Sequence, residues 1–113
     1  MNIMIINGYK AVITYDNDIE MFRGEFINLR GGADFYADTV ETLRKEGEIS
    51  LSVFLELCKE KGIHPKKEYS GKLPLRIPSE LHEKIAEQAA AKGISINQMI
   101  QNTLKECFEP NHR

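Results

Sequence analysis

The first third of the chain alternates. In YKAVITYD, Tyr9, Ala11, Ile13 and Tyr15 share one parity and Lys10, Val12 and Thr14 the other, the period-two pattern of a half-buried strand. A turn-forming DND at residues 16–18 separates this run from IEMFRGEFINL, so the two predict a hairpin. RGG at residues 30–32 predicts the next turn, and ADFYA a short third strand. Residues 1–6 read as an extended lead-in to the first strand.

The period then changes to that of a helix starting near Asp38, where Asp38 or Thr39 offers a cap and Glu41 stands in capping-box spacing to Asp38. Val40, Leu43, Gly47, Leu51, Phe54, Leu55 and Cys58 recur every three or four residues and predict one buried side. Gly47 costs about 1 kcal/mol relative to Ala inside a helix, which predicts a bend or break there. Gly62 is a natural stop, with Pro65 behind it. Strands followed by a helix predict an α+β layer pair over residues 1–62, in which the helix covers the sheet.

Residues 63–71 are polar, carry Pro65 and end on Gly71, and predict a linker. Beyond it, residues 72–77 alternate again, Leu73, Leu75 and Ile77 against Lys72, Pro74 and Arg76. A helix with Ser79 as candidate cap, a Leu81, Ile85 and Ala89 stripe and a stop at Gly93 comes next. The last helix starts at Ser95, with Gln98 in box spacing, and sets Ile96, Met99, Ile100, Thr103, Leu104 and Cys107 on one face. Residues 109–113 form a tail.

A strand and two short helices, about 40 residues, fall below what a self-sufficient core needs. Pairing the strand antiparallel with its copy from a second chain resolves the deficit, and four helices then close over one face of the ribbon. That is a ribbon-helix-helix dimer, a β-ribbon reader of the DNA major groove. Its predicted dimer core is Leu73, Leu75, Ile77, Leu81, Ile85, Ile96, Met99, Ile100 and Leu104. Its predicted DNA-facing residues are Lys72, Pro74 and Arg76, with amides around Ser95, Ile96 and Asn97 as a phosphate clamp. Arg76 has the fork that fits guanine. Pro74 lacks an N–H, so the ladder runs through 73, 75 and 77 with the Pro74 nitrogen outward.

Composition adds that 113 residues, 42% hydrophobic and 28% charged, make one or two small soluble domains. No run resembles a membrane span or a signal peptide. Charge is uneven: residues 1–70 hold 9 Lys/Arg against 12 Asp/Glu, residues 71–113 hold 6 against 5. An acidic front half suits a basic partner. Cys58 and Cys107, each on an apolar stripe, read as buried free thiols of a cytoplasmic protein.

Catalysis finds little support. Asp16, Asp18, Glu20, Asp34 and Asp38 are the carboxylates a two-metal nuclease would draw on, but the first three sit in one turn, where acids serve conformation. DNDIE is no calcium loop, with Met21 at its sixth position and Ile27 at its twelfth. His64, His82 and His112 have no triad partners, and the aromatic residues Tyr9, Tyr15, Phe22, Phe26, Phe35 and Tyr36 read as core. No enzyme activity, metal or cofactor is expected.

GKLPLRIPSELHEKIAEQAAAKGISINQMIQNTL resembles the Arc/MetJ-type ribbon-helix-helix domain. The order YKAVITYD, FRGEF, DTVETLRKE, FLELCKEKG and YSGKLPLRIP, with ELH behind it, resembles the HicB antitoxins of type II toxin–antitoxin systems across nearly all of residues 9–108. The resemblance implies a partial RNase H-like front domain that blocks a small basic mRNA-cleaving toxin of the HicA type. It also implies a back domain that binds its own operator DNA as a homodimer, often as a pair of dimers. The family's DNA-facing strand positions fall on Lys72, Pro74 and Arg76; Pro74 departs from the usual polar residue, and INLRGGADFYADT from the family's usual run. An orphan ribbon-helix-helix regulator, with a front domain sensing a ligand or another protein, fits the strand and helices equally.

Overall fold

In the computed structural model, which describes residues 2–109, the chain is α+β and divides into two compact units, Met1–Ser70 and Gly71–Arg113. Residues 110–113, with His112 and most of the expected tail, lie outside the described residues.

The front unit is a four-stranded antiparallel sheet in sequential order, β1 (Asn2–Ile6), β2 (Tyr9–Asp16), β3 (Met21–Phe26) and β4 (Asp34–Ala37), with one helix, α1 (Val40–Lys61). The lead-in expected over residues 1–6 is a full edge strand instead: Met4 pairs with Ala11 and Ile6 with Tyr9. The sequence carries its signal in Asn7–Gly8, both at positive φ (49° and 83°), the two-residue hairpin loop that suits the strand twist. The second run is shorter than IEMFRGEFINL suggests. Its first residues close the turn, with Glu20 at φ 52°, and Asn28 (φ 63°) takes the chain out of the ladder.

Alternation sorts the sheet into two faces. Met4, Ala11 and Phe26 stand in one inward row, Ile13, Gly24 and Phe35 in the next, and Tyr15, Phe22 and Ala37 in a third. Helix α1 covers this face with Leu43, Gly47 and Leu51, and Cys58 is buried farther along the helix. The helix continues through Gly47 without the expected break, and the missing side chain there makes room for Ile6 and Phe35. Thr39 is the cap, accepting from the Thr42 amide, and Gly62 closes the helix at φ 66°. Val40, expected on the buried side, is exposed at the first turn.

Residues 65–69, inside the expected linker, belong to the front unit and form a strap along Asn28–Arg30. The Arg30 amide donates to the Pro65 carbonyl and the Lys67 amide to the Asn28 carbonyl, at 3.0 and 2.9 Å. The Tyr69 hydroxyl meets Asn28 Oδ1 at 2.6 Å, and Lys66 Nζ lies 4.9 Å from the Tyr9 ring centroid.

The back unit holds α2 (Ser79–Lys92) and α3 (Ile96–Phe108), packed on each other. Pro78, not Ser79, is the N-cap of α2, and it makes no side-chain cap bond; Gly93 ends the helix at φ 69°. Ser95 caps α3 by accepting from the Gln98 amide, while the Gln98 side chain turns to Asn102 Oδ1 and leaves the box half made. No helix among the described residues is long and apolar enough to cross a membrane.

Candidate functional site

Residues 72–77 belong to no β-ladder among the described residues and so carry no strand assignment. The side chains around them are short of a core. Ala89 is the one buried residue among the described part of this unit. Leu73 is 75% exposed and Leu75 54%, and Leu81, Ile96 and Leu104 are exposed as well; Ile77, Ile85, Met99 and Ile100 are half-buried. Cys107, expected inside, is exposed, while Cys58 is buried in the front unit.

The open apolar atoms converge. A groove of about 780 Å³ is lined by Leu73, Leu75 and Ile77, by Ile85 of α2, and by Ile96, Ile100 and Leu104 of α3. Leu81 and Met99, expected in the same core, do not line it, whereas His82 and Gln101 do. Pro74, Arg76 and Ser95 are absent from its walls, as alternation requires of the first two. Lys72 departs from the pattern by lining the groove beside the odd-numbered residues.

At the start of α3 the helix leaves the amides of Ile96 and Asn97 without an intrahelical acceptor, at the positive end of the helix dipole. The Gln98 amide is taken by Ser95, and the first turn holds no acidic residue that would repel an anion.

In the front unit the turn carboxylates serve conformation: the Asp18 amide donates to Asp16 Oδ1 at 2.9 Å. Among the described residues no three His, Cys, Asp or Glu side chains gather as a metal site. The ionic cluster of this unit was not foreseen. On the outer sheet face Arg23 Nη2 bonds Glu25 at 2.9 Å and Asp34, across on β4, at 2.5 Å. The Asp34 hydrogen bond, then the charges of Asp34 and Glu25, hold the guanidinium more firmly protonated than usual. The parity of Arg23 and Glu25 in FRGEF was the available signal; the register that adds Asp34 is a long-range property.

Residues 54–104 match the model of the HicB family, a little under half of the chain, from the second half of α1 through residues 72–77 and α2 into α3. No curated protein and no solved structure matches the chain. The chain is thus similar to the HicB family over residues 54–104.

Proposed function

We propose that the protein is a cytoplasmic antitoxin with two binding surfaces: a partial RNase H-like front domain (1–62) that neutralises a HicA-like mRNA-cleaving toxin, and a ribbon-helix-helix back domain (72–108) that represses its own operon by binding operator DNA as a homodimer. The observation that carries this reading is the open groove of the back unit, where Leu73, Leu75 and Ile77 line one wall with apolar residues of both helices and Leu73 and Leu75 stay exposed among the described residues. A unit of this size stabilises itself by association. A second copy supplies an antiparallel strand and the same apolar surface, and the contact closes about a two-fold axis. Pairing through 73, 75 and 77 turns Pro74 and Arg76 to the opposite face, where Arg76 reads a guanine edge. The amides of Ile96 and Asn97 then hold a phosphate. Inhibition of the toxin by the front unit is stoichiometric cover of its RNA site and asks no chemistry of this chain.

Co-expression with the adjacent small reading frame tests the reading: growth arrest by that product is relieved and the two proteins co-purify. An Arg76→Ala variant keeps the rescue and loses about 1–3 kcal/mol of specific operator affinity in a gel-shift titration. Loss of both together would show that the two halves do not divide the work.

A further inference from the structure

Helix α1 carries a second apolar stripe on its solvent side. Ile49, Val53 and Leu57, one every four residues, are 59%, 66% and 45% exposed. Single exposed apolar residues are ordinary, but three in register on one helix form a ridge that water contacts at a cost. Ser50 Oγ donates to the Asp34 carbonyl at 3.4 Å, which sets this flank beside the edge strand β4.

The charges around the ridge select its occupant. The 3.6-residue repeat places Glu46, Glu56 and Glu60 alongside it, all three exposed and in no ion pair among the described residues. Lys45 and Lys61 stand at its two ends, and Lys45 is paired with Glu41 at 4.0 Å. An apolar centre with a charged rim is the anatomy of a protein interface. An acidic rim repels nucleic acid and anionic lipid. It also opposes a second copy, because a two-fold contact sets glutamate against glutamate. We infer that Ile49, Val53 and Leu57, rimmed by Glu46, Glu56 and Glu60, are the surface on which a small basic protein docks. This rests on the proposed toxin-binding role of the front unit and adds the place of contact.

Calorimetric titration of the full chain with the purified product of the adjacent small reading frame tests it. Val53→Asp weakens binding about 10-fold or more, as loss of a central anchor does. The triple variant Glu46→Lys, Glu56→Lys and Glu60→Lys weakens it at low salt and flattens its salt dependence. Ile3→Asp, on the outer face of the sheet, leaves it within about 2-fold, the ordinary effect of a residue outside an interface. Val53 is largely exposed, so unchanged thermal unfolding confirms that its variant is folded. Wild-type binding that survives both ridge variants overturns the assignment and leaves toxin binding standing. A wild-type protein that does not bind removes the toxin-binding reading and the ridge assignment with it. Sedimentation showing that Val53→Asp dissociates an oligomer of this chain makes the occupant a second copy and also overturns the assignment.

Discussion

Phe35 decides how closely helix and sheet approach. Its ring lies over Gly24 of β3 and against Gly47 of α1, and a Cβ at either glycine would overlap it. Phe35 is buried, and its ring packs 5.1 Å from that of Phe26. It therefore has little room to retreat. Gly24→Ala is expected to destabilise the front unit by about 1–3 kcal/mol, the usual cost of overpacking. At Gly47 the clash, closest with Ile6 and then with Phe35, is partly offset by the better helix propensity of Ala, about 1 kcal/mol. Urea unfolding of both variants measures the difference, and combining Gly24→Ala with Phe35→Leu should cost less than the sum of the two single changes. Additive costs would mean that the ring is not what the glycine accommodates.

At the scale of elements, the helices are delimited by local chemistry and the strands by partners. Thr39, Ser95, Gly62 and Gly93 end their helices with bonds to groups within a few residues. Residues 72–77 have no such local means. Their apolar parity faces a groove, and only a second segment turns the run into a strand. Leu75→Asp places a charge in the middle of that apolar surface, where burial without a partner is expensive. The expected result is a monomer by sedimentation and loss of operator binding, with the urea transition of the front unit unchanged. A variant that stayed dimeric would show that the groove is not the dimer contact.

For the whole molecule, the boundary between units follows hydrogen bonds more closely than composition. Residues 63–71 all have linker character, yet Pro65, Lys67 and Tyr69 are bonded to Asn28 and Arg30. Gly71, at φ 83°, follows the last residue of the front unit. Limited digestion with a broad-specificity protease should first cut C-terminal to Tyr69, beside the unit boundary, since the backbone of residues 65–67 is held by hydrogen bonds to Asn28 and Arg30 and nicking requires local release. Mass spectrometry of the fragments reads the site, and a first cut at residues 64–67 would contradict the strap. Replacing Tyr69 by Phe removes its bond to Asn28 and should move the cut toward the N-terminus.

Much of this was legible in the sequence because its causes are local. A period of two marked β2, β3 and β4; a period near four marked three helices; capping residues marked most of their ends. The parity of Leu73, Leu75 and Ile77 was legible for the same reason, and these three do line one groove. Asn7–Gly8 was equally local, and it marked the β1 hairpin that a simple lead-in overlooks. Periodicity ranks faces without showing what covers them, so it buried Val40 and Cys107, which the single chain exposes. The tertiary structure alone decided the fit of Phe35 between two glycines, the Arg23–Asp34 tie, the strap of residues 65–69 and the bare ridge of α1. Each depends on groups distant in sequence meeting through register and packing, and a one-dimensional pattern carries no information about which distant neighbours meet.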